Sequence, residues 1–478
     1  MKNTKSLLFE FSIYNDKNTF SSSISEALIE ANDELSDLEN QYKESIETIK
    51  ELKPDCDKYD YILSACSGAL CGIIDLFLVG KPGDSPLGNI TDKKFKDLTI
   101  SFAKKCGYKD DGKPASSAIK YLEKKFKVPY DQSVGKGIFK ELINLTPSNH
   151  HFKSMGHNPS LLGLYFSIVN QFENTSTFIS NGELITLTNS DSVFELKGKN
   201  TVSKLYCGIV NWIGHLISDG SGSSSSKGRG MGIPSPLYTW SNDVITIKRK
   251  LNIPVSEFNK AFNELALSLF QKGYDVRFQT TQTIPVFINE MIVRVLYSIR
   301  RLIKYYMTVP KEERCHALFK KFCKPFSNAT VERMLTVAHG VFCITDISDA
   351  VIHGVTKEPG TFDIVECFLR LNVVGIQRFS FALYGEVKRS ARSKRIKSNA
   401  IFIHKEQSIV ANYIEGLKIL STIYNDASLL SFINDLQKKE LYEKAFDTSV
   451  QLATLRNVSE EKILKSKEDI DIFFKGSN

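Results

Sequence analysis

The sequence contains one nearly uncharged run of helix-forming length, YILSACSGALCGIIDLFLVG, residues Tyr61–Gly80. Its twenty residues are mostly apolar or small, and Asp75 is their only formal charge. A helix of this length is about 30 Å long, which matches the hydrocarbon core of a bilayer. Lys58 and Asp60 precede the stretch, and Lys81 and a proline follow it, so polar residues bound it on both sides. The pattern predicts either a membrane-inserting helix or a buried helix of a soluble domain.

Small residues within this stretch favour the membrane alternative. Gly68 and Gly72 form a GxxxG pattern, and Ser64 lies one turn earlier. Such residues let helices approach closely in lipid, where no hydrophobic effect drives their association. A carboxylate in a membrane segment is costly unless it faces a pore, a cation or another helix. We therefore predict that Gly68, Gly72 and Asp75 lie at a pore or a helix interface.

A second apolar segment, Met334–Gly354, shares features with the first. Gly68 precedes Cys71 by three positions and Gly340 precedes Cys343 by three, and an aspartate follows within about one turn in both segments. The shared order suggests a duplicated helical element. Chance similarity between short apolar helices is the alternative interpretation.

Composition and cysteine usage limit the class of protein. With 478 residues, of which 42% are hydrophobic and 24% charged, the chain is long enough for a packed core. Its net charge of +8 favours anionic partners only where the cations cluster. Nine cysteines without CxxC pairs, and an N-terminus without a signal-peptide pattern, predict reduced thiols in a chain in or facing the cytoplasm. The same cysteine spacing predicts no zinc site.

Periodicity predicts a mainly α fold, a multi-helix assembly with a long amphipathic N-terminal helix and a small β-hairpin insertion. Apolar residues at alternating three and four spacings predict a helix over Ser22–Lys53, whose partner lies in the same chain or in another subunit. Phe178–Leu196 predicts a hairpin around an Asn-Gly turn, followed by a short strand at Val193–Leu196.

The predicted segmentation has five parts. They are the N-terminal amphipathic helix 1–55, a possible oligomerisation element; the helical region 56–175 with the candidate membrane helix; the β insertion 176–200; the helical core 201–400 with a Gly/Ser-rich loop and basic helices; and the C-terminal helical segment 401–478.

Three of the eight histidines, His150, His151 and His157, occur close together before an apolar helix. Histidines are common metal ligands, but adjacent ones point in different directions and no acidic residue shares the motif. We interpret them as loop histidines that cap or pack, and we predict no metal ligand in the chain.

Glycine and serine dominate residues 220–232, which also contain Lys227 and Arg229. Free backbone N–H groups and two cations suit a polyanion, although the loop lacks the GxxxxGK[ST] order of a P-loop; a mobile linker or gating loop is the alternative. Three further basic groups occur at Lys248–Lys250, around Arg294–Lys304, and at Lys388–Lys397. Cations near tyrosines suit phosphates and stacked bases. The predicted ligand-binding residues are Lys227, Arg229, Arg300, Arg301, Lys304 and Tyr305.

The last basic group also suits a positive flank of a membrane helix, because it follows the apolar residues 368–385. Arg370 and Arg378 within that apolar stretch argue against a simple lipid-facing helix.

A search for catalytic motifs finds no GxSxG, HExxH, Walker, kinase, CxxC or Rossmann pattern. An enzyme would need a site built from scattered residues such as Glu290 and Asp275 with Arg277 and Arg294. Charged pairs on helices are more often structural. We predict that the chain is not an enzyme.

The apolar stretch Tyr61–Gly80, the loop SGSSSSKGRGMG and the basic helices together resemble helical membrane effectors of bacterial anti-phage defence, in particular the channel component of Hailong-type systems. This resemblance implies a homo-oligomeric channel, held or triggered by a nucleotide or oligonucleotide that a partner nucleotidyltransferase makes. The chain departs from a simple channel pattern in showing no tandem of clean transmembrane spans.

The sequence therefore predicts a homo-oligomeric channel or pore in a bacterial inner membrane, with a large cytoplasmic part and an anionic ligand as its gate. No cofactor is expected. The alternatives are a soluble, cytoplasmic helical oligomer that binds nucleic acid, and an enzyme of unrecognised type.

Overall fold

The computed structural model of the chain describes residues 17–109, 112, 114–126, 143–146, 148–188, 198–222, 232–316, 319–320, 323–355, 361–425 and 442–475. The fold is mainly α, as predicted. The chain forms two compact units, one of residues 54–388 and one that combines residues 1–53 with 389–478. The five segments predicted from sequence remain a prediction.

The larger unit contains most of the helices and the hairpin. Its elements are α2 (Lys58–Ile74), α3 (Pro86–Lys105), α4 (Ala115–Lys125), α5 (His150–Lys153), α6 (Leu161–Glu173), β1 (Thr175–Ser180), β2 (Glu183–Thr188), α7 (Thr201–Asp219), α8 (Pro236–Lys250), α9 (Glu257–Gln271), α10 (Val276–Thr308), α11 (Ala329–Gly354), α12 (Ile364–Arg370) and the start of α13 (Val373–Asn425).

Helix α2 begins where the sequence supplies a cap. The Asp57 side chain accepts hydrogen bonds from the main-chain N–H groups of Tyr59 and Asp60, and the Asp60 carboxylate accepts one from the Asp57 N–H. This reciprocal capping box satisfies donors that the first turn of a helix leaves without partners. At its other end the helix continues as a π-helical turn over Asp75–Val79 and stops at Gly80, which has a φ of 57°.

The hairpin confirms the predicted Asn-Gly turn. Strands β1 and β2 pair antiparallel, with Ser180 opposite Glu183. Asn181 and Gly182 between them have φ values of 51° and 76°. A two-residue turn of this kind needs positive φ at both positions, which asparagine and glycine tolerate best. The further strand predicted at Val193–Leu196 falls on residues 189–197, outside the described residues.

A core of buried apolar side chains lies around α8, α9 and the start of α10. Phe152, Tyr238, Phe270, Tyr274 and Phe278 are buried together there. Their rings make edge and tilted contacts, such as Tyr274 with Phe278 at 5.2 Å between centroids. Burial of aromatic side chains is a large favourable contribution to folding, so this cluster anchors the unit.

The smaller unit contains α1 (Lys17–Leu52), the later part of α13, α14 (Tyr442–Leu455) and α15 (Lys467–Lys475). Ile24, Ala31 and Leu38 are buried at intervals of seven residues on α1. The Tyr42 ring lies 5.6 Å from the His404 ring on α13. The predicted amphipathic helix is confirmed. Its predicted role in oligomerisation stays a prediction.

Candidate functional site

Helices α2 and α11 contact each other at backbone distance. A Cβ atom added to Gly68 would overlap the main-chain carbonyl of Ala338, and one added to Gly72 would lie 2.8 Å from the Cβ of Thr345. Both glycines are therefore required by the close approach of the two helices. The predicted helix interface at Gly68 and Gly72 lies within this chain, between the two segments that the sequence suggested are duplicated.

The two faces of α2 have inverted polarity. Its buried face carries mainly polar and small residues, namely Asp60, Ser64, Ser67, Gly68, Cys71, Gly72, Asp75 and Val79. The exposed face carries large apolar residues at helical spacing, Tyr59, Ile62, Leu70, Ile73 and Phe77. Phe77 is 73% exposed, and Leu70 and Ile73 are each 50% exposed. This is the reverse of an amphipathic helix on a soluble domain.

Similar apolar stripes lie on α10 and α11. On α10 the exposed residues are Phe287, Met291, Val295, Ile299 and Ile303, each four positions from the next, which together span about 24 Å. On α11 they are Ile344, Ile347, Val351 and Ile352. Among the described residues, two helical segments, Lys58–Val79 and Ala329–Gly354, are long and apolar enough to cross a membrane, a criterion that buried helices of soluble proteins also meet.

Aspartates from both long apolar helices meet one asparagine inside the bundle. Asn372 Nδ2 donates to Asp75 Oδ1 at 2.6 Å, and its main-chain N–H donates to the two carboxylate oxygens of Asp346 at 3.0 and 2.9 Å. All three residues are buried. The predicted interface residue Asp75 therefore lies in a buried polar network.

A second polar group lies farther along the same interface. Ser67 Oγ donates to Asn289 Oδ1 at 2.7 Å, and Asn289 Nδ2 lies 3.5 Å from His339 Nδ1. All three residues are buried as well. We call the two groups together the polar seam, defined by Ser67, Asp75, Asn289, His339, Asp346 and Asn372.

The predicted ligand-binding cations on α10 have partners inside the chain. Arg300 Nη2 lies 2.8 Å from Asp57 Oδ2, its Nη1 also contacts Asp60, and Arg301 Nη2 lies 3.3 Å from Asp60 Oδ2. Asp60 is fully buried, so these pairs hold the start of α2 against α10. Hydrogen bonding to Arg300 lowers the pKa of Asp57 to about 2.

The other predicted ligand residues are more varied in exposure. Lys304 is exposed. Tyr305 is 2% exposed, and its ring packs edge-on against Tyr306 and Phe319, so a base cannot stack on it in this arrangement. Lys227 and Arg229 belong to residues 223–231, outside the described residues. The joint role of the six predicted residues in ligand binding stays a prediction.

The two described ends of the Gly/Ser-rich loop are held by a buried ion pair. Arg277 Nη1 donates to the Ser221 carbonyl at 3.1 Å, and the Gly232 N–H donates to Asp275 Oδ2 at 3.2 Å. Arg277 and Asp275 bond each other at 2.5 Å and are fully buried. These two residues, considered above as catalytic candidates, therefore have a structural role.

The other catalytic candidates also form ion pairs. Glu290 lies 3.4 Å from Arg294 and contacts Arg378, and Arg294 Nη1 donates to the Pro325 carbonyl at 2.7 Å. Such networks lock helices together, and they need no substrate to explain them.

A buried cluster of histidines gathers at the C-terminal end of α7. His151 comes from α5, His157 from the 3₁₀ turn Met155–His157, and His215 and Asp219 from the last turn of α7. One ligand atom from each of these four residues lies within 4.8 Å of the others. His215 Nε2 is 2.8 Å and His151 Nε2 is 3.4 Å from Asp219 Oδ2. His150 stacks edge-on against His151, with 4.0 Å between ring centroids.

Burial and neighbouring charges set the protonation in this cluster. Burial alone would raise the pKa of Asp219, but His151 and His215 lower it to about 2. Burial disfavours a charged His215, yet Asp219 raises the His215 pKa above its ordinary value. Burial and the surrounding histidines place the pKa of His157 well below its ordinary value. The cluster therefore combines a carboxylate with at least one neutral imidazole.

The interpretation of the three nearby histidines as capping or packing residues stays a prediction. The structure adds neighbours that come from a helix more than fifty residues later, His215 and Asp219. The His-x₃-Asp spacing on one helical face was the signal available in the sequence, since residues i and i+4 lie side by side.

Comparisons with known proteins give no relative. No protein-family model matches the sequence, and neither a curated protein nor a solved structure matches the chain.

Proposed function

We propose that the chain is a membrane-associated helical effector that forms a homo-oligomeric channel or pore. The observation that carries this proposal is the inverted polarity of α2, whose polar and small residues are buried while Leu70, Ile73 and Phe77 face outward. In water an exposed apolar stripe is unfavourable. In lipid it is the expected outer surface of a helix, and the polar residues turn to the bundle interior.

The helices that pack against α2 also expose apolar residues. The stripe on α10 from Phe287 to Ile303 and the outward residues of α11 lie on helices that pack against α2 within one unit. Contiguous apolar patches larger than a few hundred Å² mark membrane or protein contacts. Lipid covers part of this surface in our proposal, and further copies of the chain cover the rest.

The polar seam supplies the route for ions in this proposal. Asp75 and Asp346 share Asn372, and Ser67, Asn289 and His339 continue the series of buried polar groups. Ionisable residues at membrane depth line ion and proton pathways more often than they serve packing alone. Opening of the α2–α11 interface would expose these groups to water.

An anionic nucleotide or oligonucleotide is the proposed gate, and a bacterial inner membrane with a large cytoplasmic part is the proposed location. The resemblance to Hailong-type effectors suggests a partner nucleotidyltransferase and a role in anti-phage defence. Exposed cations that support an anionic ligand are Lys304 on α10 and, on α13, Lys388, Arg392, Lys394, Arg395 and Lys397. Cations on the cytoplasmic side would also contact anionic lipid.

A charge placed on the outward face of α2 tests the proposal. Ile73→Lys adds a cation at a half-exposed position, so membrane insertion would become unfavourable by about 2.5–3.5 kcal/mol while a soluble fold would tolerate it. We expect wild-type protein to pellet with membranes after alkaline washing and to need detergent for release. The Ile73→Lys variant should shift largely to the supernatant.

Leu161→Lys is the matched control, because Leu161 is an exposed apolar residue at the start of α6, outside the apolar stripes. It should leave membrane association unchanged. Recovery of soluble wild-type protein without detergent would overturn the proposal.

The basic segment of α13 favours a second candidate function, a soluble helical oligomer that binds nucleic acid. Lys388, Arg392, Lys394, Arg395 and Lys397 are exposed there. Binding of a fluorescent oligonucleotide by such a surface weakens steeply with salt, with a logarithmic slope of about 0.7 per phosphate contacted. Detergent-free solubility together with this salt slope would favour the second candidate over the channel.

A further inference from the structure

The buried histidine cluster has the donor set of a metal centre. We propose that His151, His157, His215 and Asp219 bind one divalent transition-metal ion, for which Zn²⁺ is the best match. Imidazole nitrogens and a carboxylate oxygen are the donors that tetrahedral zinc accepts. This inference is independent of the proposed channel function, since none of the four residues belongs to the polar seam or to the helices that carry it.

The distances between donor atoms suit a single ion. Ligands at about 2.0–2.1 Å from a tetrahedral zinc lie about 3.3 Å from one another. His215 Nε2 and His151 Nε2 lie 2.8 and 3.4 Å from Asp219 Oδ2, on either side of that value. The whole set lies within 4.8 Å, so small side-chain rotations bring the remaining donor into range.

A main-chain carbonyl orients one of the imidazoles. His151 Nδ1 lies 3.3 Å from the Gly232 carbonyl oxygen, which can only accept, so Nδ1 would carry the proton in the metal-bound site and Nε2 would be the ligand atom on the side of Asp219. Histidine ligands of metals commonly donate their second ring nitrogen to a carbonyl in this way.

Burial argues for a metal over a simple polar cluster. The four side chains are between 2% and 8% exposed. The Asp219 carboxylate contacts both His215 and His151, and a ring nitrogen of His157 lies within 4.8 Å of the same group of atoms. Burial of so many polar groups is costly unless each is compensated, and one cation compensates all four at once.

Four protein ligands with no open position make this a closed, structural site. The ion would join the segment 150–157 to the end of α7. It would also act on the Gly/Ser-rich loop, which starts directly after Asp219 and ends at Gly232, the residue whose carbonyl contacts His151. Metal binding would therefore fix both described ends of that loop.

Metal analysis of the purified full-length protein tests the site. We expect about one equivalent of zinc per chain after growth in zinc-supplemented medium, and less than about a tenth of that in His215→Ala and in Asp219→Asn. His353→Ala is the matched control, because His353 pairs with Asp349 four residues earlier at an exposed helix position. It should retain the wild-type metal content.

A cobalt titration of wild-type protein tests the site without relying on variants that could lose their fold. Wild-type protein stripped with a chelator and titrated with Co²⁺ should develop the visible absorption of a tetrahedral site, which saturates at about one equivalent. His157→Cys should add a thiolate-to-cobalt charge-transfer band, since Cys is also a ligand of such sites.

Three results would overturn the proposal. They are wild-type protein that takes up neither metal, variants that bind as much as wild type, and a cobalt spectrum that His157→Cys leaves unchanged.

Discussion

Two regions of the larger unit bury opposite kinds of side chain. Around α9 the buried residues are Tyr238, Phe270 and Phe278, as in any water-soluble core. On α2 the buried residues include Asp60, Ser67 and Asp75, and the large apolar residues face outward. The contrast is the one expected if the two regions meet different surroundings. Burial of apolar surface stabilises the first region in water, and in the proposed channel lipid or further helices would cover the apolar face of the second.

The largest effect is expected from a variant that forces α2 and α11 apart. In Gly68→Leu/Gly72→Leu, each new side chain would meet Ala338 or Thr345 at backbone distance, so α2 and α11 cannot keep their contact. We expect a loss of more than about 4 kcal/mol of unfolding free energy, together with loss of cross-linked oligomer and of membrane leakage. Chemical denaturation, cross-linking and a vesicle leakage assay measure these losses.

Gly416→Leu is the control for this double variant. Nothing lies within 4 Å of a Cβ at this helical position, so the substitution should leave stability and assembly intact. Wild-type levels of oligomer and of leakage in the double variant would show that neither depends on the α2–α11 contact.

A second pair of variants compares the two regions directly. Phe270→Ala empties a buried position of the aromatic core and should cost about 3–5 kcal/mol of unfolding free energy. Phe77→Ala removes the same side chain from a position that is 73% exposed on α2 and should change stability in detergent by less than about 0.5 kcal/mol. Denaturation curves in detergent measure both values, and equal costs would mean that the two regions have the same polarity.

Removal of the ionisable carboxylate at Asp75 tests the polar seam with a smaller structural change. Asparagine keeps the shape and still accepts the hydrogen bond from Asn372, so Asp75→Asn should fold. In the proposed channel this change should lower cation conductance several-fold, because ionised side chains set the field that a cation meets once water enters the route. Planar-bilayer recording measures the conductance. A lower melting temperature with unchanged conductance would make the carboxylate structural.

The last comparison is between two aspartates at the start of α2. Arg300 bonds both the half-exposed Asp57 and the fully buried Asp60. Asp57→Asn should therefore cost less than about 1 kcal/mol, as exposed pairs do. Asp60→Asn should cost about 3–5 kcal/mol, because it leaves the buried Arg301 without its carboxylate partner, whereas Arg300 keeps Asp57. Urea denaturation of the two variants gives the two losses of unfolding free energy, and a larger loss for Asp57→Asn would contradict this ranking.

Local patterns predicted the helices and the hairpin, because capping residues, turn residues and periodicity act over a few positions. Asp57 and Asp60 start α2, and the Asn181–Gly182 turn closes the hairpin, as sequence rules require. The same rules identified Gly68 and Gly72 as close-contact positions. The chain partner of these glycines was not predictable, since Ala338 is 270 residues away.

Long-range pairing explains what the sequence did not reveal of the candidate sites. Arg300 and Arg301 looked like free cations for a phosphate, and they pair with aspartates about 240 residues earlier. Asp219 completes a metal-type donor set with His151, 68 residues before it, which spacing rules for local motifs do not cover. Helix periodicity states which face is apolar, but it does not state whether that face turns inward.

The most direct test of the central claim asks what surrounds the outward face of α2. Cys66 is exposed on that face, between Ile62 and Leu70, and is the site for a nitroxide label. Cys315, the other exposed thiol, is the control site. If lipid surrounds the outward face of α2, oxygen, which concentrates in lipid, should broaden the Cys66 signal in membranes more than a water-soluble nickel chelate does, with the reverse order at Cys315. Greater accessibility of Cys66 to the nickel chelate would contradict it.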